Sequence, residues 1–225
     1  MDCQIQNWYG RIVMCAEPAP GPRLTRKGQA TRERIVAVAA EQIFERGVAR
    51  TSLDEVKAAA GVSSSQLYHY FADKHALVLA VIEHQTDAVL AGQEPLLSNL
   101  DSIAALRAWR DLLVATRQHL KGQGGCPIGS IGAELADVDA EARAGVADGF
   151  RRWGDGISFG LHAMHDRGEL AADPDDLALA MLAAVQGGLL LSQMRRDTAP
   201  LEVAVDAMID HIASLMTTPG TALSS

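Results

Sequence analysis

Apolar residues recur along this chain at the spacing expected of helices that bury one face. From Thr31 onward, Ile35, Ala39 and Ile43 recur every four residues, and Gly47 follows as a stop signal. Residues that cap helices stand before the later apolar runs: Thr51 or Ser52, Ser63, Asp73, Asp101, Asp139 and Asp173. Nine helices and no strand are predicted, beginning near Thr31, Leu53, Ser64, Lys74, Asp101, Ile128, Asp139, Asp173 and Pro200.

Two of these helices are short and flank a turn at Gly61. Their apolar residues form one inward set, comprising Leu53, Val56, Ala60, Val62, Leu67 and Phe71. The residues left to point outward from the second helix are Ser64, Ser65, Gln66 and His69. Short polar side chains near a helix start can reach base edges in the major groove, and Gln can bond adenine through two contacts. The pattern predicts a DNA-binding helix-turn-helix at Thr51–Phe71.

The same stretch resembles the DNA-binding signature of the TetR family. Ala60-Gly-Val-Ser63, Leu67-Tyr68, Phe71 and Lys74 fall in register together, and Arg34-Ile through Phe44-Glu-Arg-Gly47 is similar to the family's first helix. The resemblance implies phosphate contacts from Thr51, Tyr68, His69 and Lys74. It implies base-facing positions for Ser63, Ser64, Ser65 and Gln66.

Two positions depart from the family pattern, and the aromatic residues admit a second interpretation. Lys57 stands where a small residue is usual, so it can add a phosphate contact, and Ser65 stands where Gly is frequent, so it can alter the operator that is read. Tyr68, His69 and Tyr70 can alternatively serve only in packing. Packing is favoured for Tyr70, and phosphate contact is favoured for Tyr68 because Leu67 and Phe71 already fill the core.

Composition and charge agree with a helical DNA-binding protein. Hydrophobic residues make up 48% of the 225 residues and aromatic residues only 4%, which is enough to bury a core and favours helix over strand. The net charge of −8 opposes DNA binding at first sight, but it is segregated. Residues 23–74 contain nine basic and six acidic side chains, whereas residues 75–225 carry a net −10.

The predicted order of domains follows from these segments. Residues 1–22 form a disordered extension, 23–75 the helix-turn-helix domain, 76–218 a ligand-binding and dimerisation domain, and 219–225 a flexible tail. No apolar run of about 18 residues and no secretory signal is evident, so a cytoplasmic protein without membrane contact is expected. Cys3, Cys15 and Cys126 are odd in number and lack CxxC spacing, which disfavours a disulfide framework and a zinc site.

The last two predicted helices carry apolar seams. In the first, Leu177, Met181, Ala184, Gly188 and Leu191 repeat at spacings of four and three, and in the second the seam contains Val205, Met208 and Ile212. The family resemblance implies that these helices pair with their copies in a four-helix homodimer interface. Packing within one chain is the alternative. A dimer would let two modules read two half-sites about one helical turn apart.

The resemblance also implies a cavity for a small hydrophobic effector between the middle helices. Candidate lining residues are Trp109, Leu113, Phe150, Trp153, Ile157, His162, Met181 and Gln186, with plain core packing as the alternative for each. The stretch Gly125–Ala136 resembles a segment of the LmrA/YxaF-like branch, whose members often respond to drug-like or flavonoid-like molecules.

Other candidate chemistry is sparse. Cys126 is interpreted as a small buried residue, with a redox sensor at a helix start as the alternative. His162 and His165 lie three residues apart, but no further ligand completes a metal site, so neither metal nor cofactor is expected. No Walker, GxGxxG or HExxH motif occurs, and Gly156-Ile-Ser-Phe-Gly160, which has the GxSxG spacing, lies within a predicted helix and not at the strand-to-helix turn of a nucleophile elbow.

The whole pattern predicts an all-α, nine-helix TetR-like protein that binds double-stranded operator DNA. The favoured function is a one-component repressor released by its effector. A small helical enzyme and a non-inducible DNA-binding activator remain as alternatives.

Overall fold

The computed structural model describes residues 24–120 and 124–217, and these ranges contain nine α-helices joined by short turns. The helices are α1 (Arg26–Arg46), α2 (Leu53–Ala60), α3 (Ser64–Tyr70), α4 (Lys74–Ala91), α5 (Ile103–His119), α6 (Pro127–Leu135), α7 (Ala140–Asp166), α8 (Pro174–Arg195) and α9 (Ala199–Ser214). A 3-10 turn covers Leu97–Asn99. The predicted extension at 1–22 and tail at 219–225 lie outside the described residues.

The nine predicted helices are confirmed, and most of their starts follow from capping. The side chains of Ser52, Ser63, Asp73, Asp139 and Asp173 each accept a hydrogen bond from a backbone N–H in the first turn of the helix that follows. Two starts differ from the prediction. Ser102 rather than Asp101 caps α5, and α1 begins at Arg26 rather than Thr31 because the Thr25 hydroxyl caps it.

The chain divides into two compact units, residues 1–33 and 34–225. In the first unit, the described residues comprise the beginning of α1. Thr25 accepts a hydrogen bond from the Gly28 backbone N–H at 3.2 Å, and Thr31 donates to the Lys27 carbonyl at 3.0 Å. The first bond satisfies a backbone N–H that has no partner within the helix, and the second is a side-chain bond to the preceding turn.

The second unit is organised around α7, which packs against α4, α6 and α8, while α9 packs against α8 and α5. The buried residues of this unit form one cluster that extends from Ile35 in α1 to Ile212 in α9. The packing of α8 on α9 depends on Gly188, because a Cβ there would lie 2.7 Å from the Cα of Leu201. Any larger residue at this position would push α8 and α9 apart.

Helix α8 is more apolar than expected, since no apolar run of about 18 residues was predicted. Its 22 residues contain an 18-residue window of mean hydropathy 1.6, long and apolar enough to cross a membrane by length and composition. Of that window, 44% is buried inside the protein. Core helices of globular proteins meet the same criteria, so this helix is weak evidence for a membrane segment.

Candidate functional site

The turn between α2 and α3 is built by two reciprocal caps around one glycine. Ser52 and Glu55 cap the start of α2, with the Glu55 carboxylate accepting from the Ser52 backbone N–H at 3.0 Å. Gly61 ends α2 in the left-handed conformation at φ 61°, which is most accessible to glycine. The hydrogen bonds on both sides of the turn set the direction in which α3 leaves it.

Helix α3 is anchored by its inner side and exposed on its outer side. Leu67 is buried in the same apolar cluster as Val56, Ala60 and Phe71, so the helix cannot rotate freely. The outer face of α3, defined as Ser64, Ser65, Gln66, Tyr68 and His69, is exposed. Tyr68 is 57% exposed, whereas Tyr70 is partly buried against the core. The predicted division between outward and inward positions is therefore present in the structure.

Gln66 takes part in the cap of its own helix. Its side-chain Oε1 accepts a hydrogen bond from the Ser63 backbone N–H at 2.9 Å, and the Ser63 hydroxyl accepts from the Gln66 N–H at 3.2 Å. Adenine recognition by glutamine uses both the oxygen and the nitrogen of the amide. The oxygen of Gln66 is thus shared between holding the helix start and the predicted base contact.

The predicted phosphate-contacting residues occupy different environments. Thr51 is only 4% exposed, and its hydroxyl donates to the Gly47 carbonyl at 3.0 Å, so it holds the loop after α1. Lys74 lies partly buried at the start of α4, and His69 makes an edge-to-face contact with Tyr70 at 4.9 Å between ring centroids. Lys57 is paired with Asp54 at 2.6 Å and donates to the Ser64 hydroxyl at 3.3 Å.

A carboxylate from a distant part of the chain fixes the loop that leads into α2. Glu134, near the end of α6, accepts hydrogen bonds from the backbone N–H groups of Val48 at 2.7 Å and Ala49 at 2.6 Å. Bonds from backbone N–H to a charged acceptor are among the stronger ones in proteins. Glu134 was not predicted from the sequence, because no local pattern indicates a contact across 85 residues.

A cavity of about 430 Å³ lies beside this region, between α1, α4, α5, α7 and α8. Its wall is mainly apolar and includes Ala40 and Phe44 of α1, Val89 of α4, Leu113 of α5 and Leu189 of α8. The first residues of α6 line it as well, through Cys126 and Pro127. Its volume falls in the range of small-molecule sites in proteins.

Two polar groups are buried in this wall. Arg117 is 3% exposed and donates a hydrogen bond from Nη2 to the Gly124 carbonyl. Trp153 is also buried, and its Nε1 has no hydrogen-bond partner among the described residues. A second buried indole, that of Trp109, donates to Gln93 Oε1 at 2.8 Å. Arg117 was identifiable from the sequence, because it continues the four-residue spacing of Trp109 and Leu113.

The predicted lining residues are distributed over several environments. Leu113 and Trp153 line this cavity, whereas Phe150 and Gln186 line a second cavity of about 400 Å³ that shares Cys126 with the first. Trp109, Ile157 and Met181 are fully buried in the core. His162 is exposed and lies on the far part of α7, where its Nδ1 is 3.0 Å from the Ser158 hydroxyl. Their effector-binding roles stay predictions.

Cys126 is buried, in agreement with its interpretation as a small core residue. It caps α6 through its sulfur, yet burial raises the pKa of the Cys126 thiol, and this effect exceeds the lowering by the nearby backbone N–H groups. A reactive thiolate is therefore not favoured. Across residues 24–120 and 124–217, no group of three or more His, Cys, Asp or Glu side chains is arranged to hold a metal ion.

The seams predicted on α8 and α9 face mostly into the chain. Leu177, Met181, Gly188, Val205 and Ile212 are buried where α8 and α9 pack within the same unit. Ala184 and Met208 are partly buried, and Leu191 is exposed. Buried seam residues cannot contact a second copy of the chain unless the helices rearrange. Packing within one chain, which was the alternative interpretation, therefore accounts for those five positions.

A different set of residues makes the exposed apolar face of α8. We call this set the α8 stripe; it consists of Leu179, Ala183, Gly187, Leu190 and Met194. Their spacing of three and four residues places them along one side of the helix, with Leu191 beside them. Leu179, Leu190 and Met194 are each more than half exposed.

Comparisons with known proteins cover both parts of the chain. A family model described as bacterial regulatory proteins, tetR family, matches residues 35–81, which span the helix-turn-helix. A second model, described as the transcriptional regulator LmrA/YxaF-like C-terminal domain, matches residues 102–207. The chain is 27% identical over 186 residues to an HTH-type transcriptional regulator of Lactococcus lactis subsp. lactis, covering 79% of this chain and 91% of that protein.

Two further similarities extend over most of the molecule. The chain is 26% identical over 175 residues to the HTH-type transcriptional repressor DhaR of Mycobacterium sp., covering 76% of this chain and 86% of that one. A crystal structure of a TetR transcriptional regulator from Chloroflexus aurantiacus superposes with a TM-score of 0.70 at 27% identity. That superposition covers 85% of this chain and 98% of the other.

Proposed function

Because this chain belongs to the TetR family of transcriptional regulators, we propose that it is a repressor that binds palindromic operator DNA as a homodimer and is released by a small, largely apolar effector. The observation that carries this proposal is the exposed outer face of α3, held rigidly between a capped start and a buried Leu67. The similarity to a protein named as a repressor supports repression over activation.

In the proposed complex, α3 enters the major groove with its outer face toward the bases. Ser64, Ser65 and Gln66 near the helix start are the reading positions, with Ser63 holding the cap. Tyr68 and Lys74 contact the phosphate backbone in this proposal. Thr51 acts indirectly in this proposal, since its hydroxyl already bonds the Gly47 carbonyl and positions the loop. A regulator of this kind acts on DNA in the cytoplasm.

The homodimer is proposed to form through the α8 stripe, with Leu191 at its margin. The exposed leucines and Met194 offer apolar area that water disfavours, and Gly187 and Ala183 allow a partner helix to approach closely. Two copies related by a two-fold axis present two α3 helices to two half-sites.

Effector binding in the cavity of about 430 Å³, called the main cavity, is proposed to displace α3 through α6 and so release the DNA. The cavity touches the start of α6, and Glu134 near its end bonds the loop before α2. An effector that prefers a shifted position of α6 would move this loop in each subunit and change the separation of the two α3 helices. The effector must bind the non-operator state more tightly for this to occur.

The test is DNA binding by the purified full-length protein. Selection from random double-stranded DNA, followed by fluorescence anisotropy against the selected site and a scrambled site, should yield a palindromic sequence bound by two subunits. Affinity should fall steeply with salt, as expected for phosphate contacts. Absence of any salt-sensitive, sequence-selective binding would refute the proposal. A promoter fusion in cells lacking and carrying the gene distinguishes repression from activation.

Lys74→Ala tests the phosphate-contact assignment. The lysine carries no base information in this proposal, so its loss should weaken the selected and scrambled sites about equally and reduce the salt slope by about 1. Arg107→Ala, which removes an exposed cation of α5 that pairs with Asp210 outside the helix-turn-helix, is the matched control and should leave both affinities unchanged. A change in base preference for Lys74→Ala would contradict its assignment.

A further inference from the structure

The main cavity has a mouth open to water and a buried inner end. At the mouth, Glu41 of α1 and His84 of α4 are exposed. At the inner end, Leu113 of α5, Trp153 of α7 and Leu189 of α8 are only 8%, 2% and 7% exposed, respectively. A molecule that fills the cavity therefore loses contact with water at its inner end and keeps it at its outer end.

The inner end contains a hydrogen-bond donor that lacks an acceptor. Trp153 lines the cavity, and its Nε1 is buried without a hydrogen-bond partner among residues 24–120 and 124–217. An indole nitrogen can only donate, and a buried tryptophan N–H is usually paired with an acceptor. A buried donor that stays unpaired destabilises the protein. Trp153 therefore favours a ligand that brings a hydrogen-bond acceptor to this end of the cavity.

Other buried polar groups of the wall are bonded within the protein. The oxygen of the Gln93 amide accepts from the Trp109 indole at 2.8 Å, and the nitrogen of the same amide donates to a backbone carbonyl at 2.8 Å. Arg117 donates to the Gly124 carbonyl, so its guanidinium is bonded as well. The Trp153 N–H differs from these groups, because the described part of the chain offers it no acceptor.

The surroundings of Trp153 favour an uncharged acceptor. The neighbouring wall consists of the apolar side chains of Leu113 and Leu189 together with the buried Cys126. A single neutral N–H does not offset the free energy of moving an anion out of water into such surroundings. A neutral oxygen, such as that of a ketone, loses much less hydration and is therefore the better match for this donor.

We propose that the main cavity takes an uncharged, largely apolar molecule with a carbonyl oxygen at one end. The oxygen accepts from Trp153 Nε1, and the other end of the molecule lies toward Glu41 and His84, where water is available to a polar substituent. This inference rests on the proposed function only in treating the molecule as the effector, since its binding is measured without DNA.

Acetylnaphthalene and isopropenylnaphthalene test the role of the carbonyl. They share one apolar body and nearly one shape, because a CH₂ group in the second replaces the carbonyl oxygen of the first. Isothermal titration calorimetry on the full-length protein gives both affinities for the wild type and for Trp153→Phe, which keeps an aromatic ring and removes the N–H. The ratio of ketone affinity to alkene affinity should be roughly 2- to 10-fold lower in the variant, the usual worth of a hydrogen bond between neutral groups.

Trp109→Phe is the matched control, because it removes an indole N–H that Gln93 already bonds. Its ratio of ketone to alkene affinity should equal that of the wild type. A fluorescent ketone, acetyl-dimethylaminonaphthalene, gives a second measurement, since its emission moves to longer wavelength when its carbonyl accepts a hydrogen bond. The emission of the bound fluorophore should move to shorter wavelength in Trp153→Phe and stay unchanged in Trp109→Phe.

An unchanged ratio in folded Trp153→Phe overturns the inference, as does failure of both naphthalenes to bind the wild type below about 1 mM. If that variant does not fold, the infrared carbonyl band of isotope-labelled acetylnaphthalene bound to the wild type decides, and a band at its position in an alkane solvent overturns the inference. Ketone binding that depends on Trp153 but leaves operator affinity unchanged would contradict release in the proposed function and leave the ligand class standing.

Discussion

At the scale of single residues, Gln66 has two competing tasks. Its amide oxygen holds the start of α3 by accepting the Ser63 N–H, and the proposed adenine contact requires the same oxygen together with the amide nitrogen. Because the oxygen has two lone pairs, reading adenine requires it either to accept a second hydrogen bond or to exchange the bond from Ser63. Helix stability and base reading are therefore linked at this position.

Gln66→Ala should consequently impair both properties. We expect the preference for the selected operator over scrambled DNA to fall by about 1–3 kcal/mol, since one base contact is lost. The unfolding free energy should fall by about 1 kcal/mol or less, because half of the reciprocal cap is removed. Anisotropy titrations and thermal unfolding of the same preparation measure the two effects.

Gln66→Glu is the control that separates the effect on operator preference from the effect on stability. Glutamate also completes a capping box, so stability should stay close to that of the wild type, while the amide donor is lost and a negative charge is added. Operator preference should fall at least as far as in Gln66→Ala. Unchanged preference in both variants would show that Gln66 does not read the operator.

At the scale of elements, the short helix α6 connects the cavity with the DNA-binding module. Its nine residues span about 13 Å. Its cap Cys126 and first residue Pro127 line the cavity, and Glu134 close to the other end bonds Val48 and Ala49. A helix is stiff along its axis, so a displacement of the start of α6 at the cavity would also displace Glu134 and the loop before α2.

Glu134→Ala should weaken this connection. We expect an effector that releases the wild-type protein from its operator to change the operator affinity of this variant by a factor several-fold smaller, since coupling free energies of this kind are typically about 1–3 kcal/mol. Glu83→Ala, which removes an exposed glutamate from α4, serves as the control. Coupling that is undiminished in Glu134→Ala would show that the signal takes another path.

At the scale of the whole molecule, the surface of α8 determines which residues can join two subunits. Most residues of the seam predicted from spacing are buried where α8 packs on α9, whereas the α8 stripe is exposed. An exposed apolar stripe along a 22-residue helix is typical of a surface that a partner covers. The proposed dimer therefore uses the side of α8 that the core leaves uncovered.

Leu190→Asp should disrupt that dimer. The side chain is 56% exposed, so the substitution costs little in the monomer but places a charge in the proposed interface. Sedimentation velocity should show a shift to monomer at micromolar concentration and a loss of affinity for the palindromic site. Val138→Asp, at a position 79% exposed outside α8, is the control. A dimer that persists unchanged in Leu190→Asp would place the interface elsewhere.

The sequence by itself determined the features that depend on neighbours along the chain. Caps at Ser52, Ser63 and Asp73, the turn at Gly61 and the buried Leu67 follow from local hydrogen bonding and helical spacing, so the helix-turn-helix was predictable. Only the tertiary structure decided which side of α8 is covered, and which polar groups are buried or bonded far away. Glu134 looks like a surface residue in the sequence, and the spacing that places Arg117 on a buried face does not specify its neighbours. Their roles arise from helices that meet in space, and helical spacing alone specifies a buried face without specifying what covers it.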